Sequence, residues 1–247
     1  MSSFGFADRL ANALVRRRPV RRHDIAPERA IVSFSFDDVP ESAFQNGAPL
    51  LEDEDVRGTF YAAGGIAGQM HDGFEIMQPE RYAALAARGH EIGHHGFAHR
   101  RPVALGRRFR DDVEANDAFL AATVPGRVRN YAYPYGLSSP RARRILAPRF
   151  RSLRSAEAGI NAGPTDLDYL RAVDIWAGAV PERLSQWIAE AAARRGWLIF
   201  FTHEVCDGHG RFGCTPALLR RVVREALAAG CEVLPIDAAL DRMEVPA

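Results

Sequence analysis

The chain has 247 residues, and 32 Lys and Arg nearly cancel 31 Asp and Glu, leaving a formal net charge of +1. So even a balance argues against a general nucleic-acid-binding surface, and no apolar run approaches the length of a membrane span. The length suits a single α/β barrel, and the cysteines, Cys206, Cys214 and Cys231, form no paired framework, as a reducing compartment tolerates.

From the N-terminus, Met1 to Leu10 is interrupted by charge before an apolar core can form, so it does not read as a signal peptide and a cytoplasmic location is expected. Arg16-Arg17-Arg18-Pro19-Val20-Arg21-Arg22 concentrates positive charge in a basic extension, 1–28, ahead of a catalytic domain at 29–247. Such a run is a solvated tail or a contact for anionic lipid head groups or a polyanionic partner. Ala30 to Phe36 is rich in β-branched and aromatic residues and predicts a buried strand that delivers Asp37 and Asp38 at its carboxyl end. Neighbouring strand residues point to opposite faces, so both acids serve one site only where the strand breaks up. Val39-Pro40 supports such a break.

Gly58 to Ala63 predicts a second strand, and Pro79 to Arg88 a helix stopped by Gly89. His90 to Gly93 leads into His95-Gly96-Phe97-Ala98-His99, with His90 and His94 read as packing or supporting residues. Arg107 to Ala122 reads as an amphipathic helix, and Val128 to Tyr133 as a strand entering Pro134-Tyr135-Gly136. A basic helix follows from Ser139-Pro140, then strands at Phe150 to Arg154 and Tyr169 to Trp176. Pro181 to Arg195 is a helix stopped by Gly196, Trp197 to Thr202 a strand ending in His203, Thr215 to Ala229 a helix, and Cys231 to Ile236 a terminal strand. Alternation of this kind argues for a parallel barrel with its chemistry at strand carboxyl ends, or for an open doubly wound sheet.

One carboxylate and two spaced imidazoles suit zinc or a similar divalent ion, and three protein ligands leave a position open for water. The second acid of the pair can take a proton. Taken separately, an acid pair at a strand end also reads as a turn or cap, and a His-x3-His pair as a surface pair. Ligand types at His203, Cys206, His209 and Cys214 allow a structural zinc, but no Cys-x2-Cys pair accompanies them.

The ordered set Asp37-Asp38, His95-x3-His99, Pro134-Tyr135-Gly136 and strand-end His203 resembles the polysaccharide deacetylase family, also called the NodB-homology or carbohydrate esterase 4 family, over residues 30 to 240. The resemblance implies an α/β fold, a distorted barrel of about seven parallel strands, and removal of N-acetyl groups from an amino-sugar substrate. It makes Asp37 the base, Asp38, His95 and His99 the ligands of a divalent metal with zinc favoured, and His203 the acid. The Tyr135 backbone N–H would help hold the oxyanion, and Pro134 and Gly136 would line the groove; Tyr133, Tyr135 and Trp176 are candidate sugar-stacking or core aromatics. A cytoplasmic enzyme would meet sugar precursors, oligosaccharides or lipid-linked intermediates; the oligomeric state is left open.

Two positions depart from the family pattern. Gly96 stands where a Ser or Thr hydroxyl usually supports the ligand loop, so a more loosely held metal site is expected. Ala132 stands where an Arg usually pairs with the catalytic Asp, and Arg171 is expected to reach Asp37 instead, its plainer role being an ion pair with Asp168 or Asp174. That departure keeps open hydrolysis of another C–N bond, in a cyclic imide, ureide or formamide, and an inactive sugar-binding module is a third reading.

Overall fold

Every residue of Ile31–Asp37 is buried, as such a run requires when both faces of its sheet are covered. In the computed structural model, which describes residues 5–246, this strand is central to the main sheet. Residues 1–4, part of the stretch read for a signal peptide, lie outside the described residues. In chain order the strands are β1 (Arg22–Ile25), β2 (Ile31–Asp37), β3 (Thr59–Ala62), β4 (Met70–His71), β5 (Phe74–Glu75), β6 (Glu91–His94), β7 (Asn130–Ala132), β8 (Ser152–Arg154), β9 (Gly163–Asp166), β10 (Val173–Asp174), β11 (Trp197–Thr202) and β12 (Glu232–Val233). The helices are α1 (Phe6–Arg17), α2 (Ala48–Asp53), α3 (Tyr82–Ala87), α4 (Pro102–Leu105), α5 (Phe109–Thr123), α6 (Pro140–Leu146), α7 (Pro181–Arg194), α8 (Pro216–Ala228) and α9 (Ile236–Arg242).

The main sheet runs β10-β11-β2-β3-β6-β7-β8, every adjacent pair parallel, with β12 beside the first half of β2. Leu170, in the segment leading into the edge strand β10, bridges Arg154 of the other edge strand, β8, donating its N–H to the Leu153 carbonyl and accepting from Ser155 N–H. The seven-strand path is therefore the curled, barrel-like sheet that the resemblance implies, and the open doubly wound alternative is excluded.

Strand alternation sorts the core. Val32, Phe34 and Phe36 of β2 pack with Leu198 and Phe200 of β11, Leu184 and Ile188 of α7 and Leu219 and Val222 of α8. Ile31 turns the other way, into a cluster with Tyr61, Trp197, Ile199 and Phe201. Ser33, Ser35 and Asp37 share the face of Ile31 by the two-residue period. Ser33 Oγ accepts from the Trp197 indole at 2.9 Å, and Ser35 Oγ donates to the Phe200 carbonyl at 3.0 Å. Asp37 is thus carried to the end of the face opposite Val32, Phe34 and Phe36.

Several boundaries differ from expectation. The segment expected as one strand from Tyr169 to Trp176 pairs regularly only at Val173–Asp174. The terminal strand stops at Val233; Pro235 lacks an N–H and precedes α9, whose Ile236, Ala239 and Leu240 are buried at helical spacing. Pro79–Arg81 is a 3-10 turn that leads into α3. The basic segment placed in the 1–28 extension is tied to the rest of the chain: α1 is a helix, β1 pairs antiparallel with β9, and Arg21 holds the buried Asp168 at 2.6 Å. No helix among the described residues is long and apolar enough to cross a membrane.

Candidate active site

β2 stops at Asp37, and the next two residues, Asp38 (φ 62°) and Val39 (φ 55°), turn into the left-handed region. A β-branched residue is strained there, and the surroundings hold it: the Val39 carbonyl accepts from Met77 N–H at 3.0 Å, and Pro40 bridges Ile76. The reversal breaks the strand alternation and allows consecutive carboxylates to serve one site.

Asp38 Oδ1 lies 3.2 Å from His99 Nε2 and 3.6 Å from His95 Nε2, and all three residues are buried. His95 Nδ1 is 2.8 Å from the Ala132 carbonyl, which places the proton on that nitrogen and leaves the Nε2 lone pair facing Asp38. His99 Nδ1 is 3.0 Å from His71 Nε2 on β4, and with His99 Nδ1–H donating to His71 the His99 Nε2 lone pair is free in the same way. Burial pushes His95 down to about 4 and His99 to about 3, so both imidazoles are neutral, the form that ligates. Burial also raises Asp38, with His95 and His203 offsetting only part of the effect. Asp38 Oδ1 and His95 Nε2 are buried with no hydrogen-bond partner, which a divalent cation would satisfy. Among the described residues these three form the group of ligand side chains able to hold such an ion.

The ligand loop is held from α5. Asp112, buried in its first turn, accepts from Phe97 N–H at 3.0 Å and Ala98 N–H at 2.9 Å. Gly96 (φ 72°) leaves room for it: a Cβ there would come within 3.1 Å of Asp112 Oδ2. A carboxylate on α5 thus fastens the ligand loop where Gly96 offers no hydroxyl. His94 supports the same loop, accepting from Gly96 N–H at 3.1 Å and stacking on Tyr131.

Asp37 is paired with Arg154 of β8, whose side chain is fully buried, and the expectation for Arg171 is corrected. Arg171 is exposed, its backbone fixed by Asn161. Ala132 and Arg154 are register partners in the β7–β8 pair, so the guanidinium has moved one strand sideways at the same level. It is sandwiched over the rings of Tyr61 at 5.1 Å and Phe201 at 4.9 Å. Burial pushes the Asp37 carboxyl up, but Arg154, His95 and His203 together outweigh it and keep the group below the usual carboxylate value.

His203 follows β11, its Nε2 3.8 Å from Asp38 Oδ2, walled by Phe74, Trp176 and Phe212. Trp176 is wedged edge-on between Phe201 and Phe212 and is half-buried. Tyr135 (φ 60°) is exposed beside His99, with ring centroids 4.7 Å apart, and Pro134 is buried beneath it. Gly136 approaches Ala156 so closely that a Cβ would lie 2.3 Å from the alanine Cβ. Of its two readings, stacking residue or core, Tyr133 takes the core, which corrects its place among the substrate-contacting candidates: it is fully buried, edge-on to Tyr131, with its hydroxyl donating to the Asp168 carbonyl.

Three residues that hold the site escaped the sequence reading: Arg154, His71 and Asp112. Arg154 left a faint signal, since a strand at Phe150 to Arg154 beside Ala132 puts an arginine across from the gap. His71 and Asp112 sit in segments whose pattern shows nothing of the fold-back that brings them to the ligands.

The sequence matches the model of a family described as polysaccharide deacetylase over residues 24–148. Among solved structures, the chain is similar to a family 4 acetyl xylan esterase from Clostridium thermocellum in complex with a cobalt ion, at 17% identity and TM-score 0.63 over 87% of this chain and 93% of that one. The catalytic domain of a peptidoglycan N-acetylglucosamine deacetylase from Eubacterium rectale matches at 16% and 0.57, over 88% and 93%. A CE4 family pseudoenzyme from Bacillus anthracis matches at 16% and 0.59, over 91% and 69%. At these identities the structural likenesses speak to fold alone.

Proposed function

The chain belongs to the polysaccharide deacetylase family, and we propose that it hydrolyses the N-acetyl group of an amino-sugar substrate with a divalent ion, zinc being favoured, held by Asp38, His95 and His99. The observation that carries this reading is the pair of buried, unpartnered ligand atoms, Asp38 Oδ1 and His95 Nε2, set between the Arg154-held Asp37 and His203. When bound, the ion supplies Lewis acidity to the amide carbonyl.

The remaining chemistry is the chain's own. Asp37, kept ionised, accepts a proton from the attacking water, and its pairing with Arg154 fixes the direction of its oxygens. His203 donates a proton to the departing nitrogen, and its wall of Phe74, Trp176 and Phe212 keeps competing water away from the ring. The Tyr135 backbone N–H is assigned to the developing oxyanion. The products are a free amine and acetate. Arg154 supplies the partner that Ala132 lacks, which removes the departure that made the alternative of a cyclic imide, ureide or formamide more credible. Free Cys206, Cys214 and Cys231 support a reducing, cytoplasmic setting.

Acetate release from N-acetylated oligosaccharides, measured with and without chelator alongside metal analysis of the purified protein, tests the reading. Turnover that chelator abolishes and D37N loses is expected. Metal-loaded protein inert on acetylated sugars but active on cyclic imides would overturn it, as would metal-free protein that binds sugar without releasing acetate.

A further inference from the structure

Helix α1 turns two opposite faces to its surroundings. Asp8, Ala11, Asn12 and Val15 face the protein, with Asp8 and Val15 buried. On the other side Phe6 is 75% exposed, Leu10 49% and Leu14 37%. At 3.6 residues per turn these three and Arg17 fall within an arc of about 80°. Three large apolar side chains aligned towards water on one helix are not scattered surface residues but a continuous stripe.

Its charge identifies the occupant. The only acid of α1, Asp8, is buried and paired with Arg101, while Arg9 and Arg17 are exposed beside the stripe. Neighbouring α6 adds exposed Arg141 and Arg144 and carries no acid. An apolar stripe between arginines fits the boundary of an anionic bilayer, where the rings and leucines enter the acyl region and the guanidinium groups meet phosphates. A second copy of this face would bring arginine against arginine.

We propose that α1 docks this protein in the plane of an anionic phospholipid membrane. The helix is fastened to the rim of the candidate site: Asn12 Oδ1 accepts from Ser138 N–H at 2.9 Å and Ser138 Oγ at 2.8 Å, just past the Pro134–Gly136 turn, and Asp8 holds Arg101, two residues beyond His99. Docking therefore brings the membrane surface to the site's mouth, where Tyr135 is also exposed. This rests on surface shape and charge and is independent of the hydrolase reading.

Co-sedimentation of the full chain with phosphatidylcholine vesicles, with and without phosphatidylglycerol, tests it. Binding only to the phosphatidylglycerol vesicles, weakened by salt, is expected. F6S/L10S, both at exposed positions, should weaken binding at least about tenfold, and R9E/R17E should abolish it, with melting temperature and turnover of a soluble substrate unchanged. No binding by the wild type, or binding that F6S/L10S leaves intact, overturns the proposal. So does a wild-type dimer in gel filtration that F6S/L10S splits while vesicle binding is absent, since the stripe would then be a self-interface.

Discussion

Ala132 and Arg154 face one another across the β7–β8 pair, and the guanidinium of the second reaches Asp37 from beside the position of the first. In a parallel pair, register partners project to the same side, so an arginine on either strand can address the same carboxylate. Removing one partner of a buried ion pair leaves the other charge uncompensated. R154A is expected to lower the unfolding free energy by about 3–5 kcal/mol and kcat by about 100-fold, read by urea unfolding and acetate release. The double variant A132R/R154A should recover part of both, and R171A should change neither.

His71 fixes which nitrogen of His99 carries the proton. Its removal frees the ring to rotate without deleting a ligand. H71A is expected to weaken zinc binding by about 10- to 100-fold, measured by titrating metal-free protein against a competing chelator, whereas H95A or D38A should abolish stoichiometric binding. Equal zinc affinity in H71A and wild type would show that His99 is oriented by other contacts.

Asp112 accepts two N–H groups of the ligand loop. D112A leaves both donors without that partner and should cost about 2 kcal/mol in urea unfolding. D112N, which keeps an acceptor oxygen, should cost less. Identical unfolding curves for D112A and wild type would contradict the staple.

Glu91 predicts a pH dependence far from the ligands. Burial pushes its carboxyl up to about 7, against hydrogen bonds from Asp237 N–H, Asn130 and Thr59 that favour the charged form. A carboxyl raised in the folded state binds its proton more tightly there than in the unfolded chain. Stability from this group is thus fully present below about pH 4.5 and is lost as pH rises towards 7. Relative to E91Q, the wild type should lose about 3 kcal/mol across that window, measured by urea unfolding at several pH values. A constant difference would show that Glu91 titrates alike in both states.

Much of the site was legible because it lies at strand ends. Asp37, Asp38 and His203 follow β2 and β11, whose apolar runs announce where each strand stops, and His95 and His99 mark their own loop by spacing. What escaped is whatever depends on neighbours in space. The register of β7 against β8 decides that Arg154, and not Arg171, meets Asp37. Helix α1 was hidden by its composition: with arginines at its end and apolar residues turned to water, it lacks the inward stripe that marks a packed helix. Tyr133 stays open between groove and core in the sequence because alternation along a strand of three residues, Asn130–Ala132, is too short to tell them apart.

The order of strands in the main sheet bears on how the chain is made. β2 leaves the ribosome early and finds β3 close behind, yet its other neighbour, β11, lies far downstream: Ser35 and the Phe200 carbonyl it bonds are 165 residues apart. Until most of the chain has been synthesised, one edge of a fully buried strand has no native partner, and Asp37 waits on an arginine 117 residues away. Biosynthesis therefore passes through a long interval in which this strand is half-covered, and expression yield should respond to translation speed and chaperone supply more than to the final stability of the folded protein.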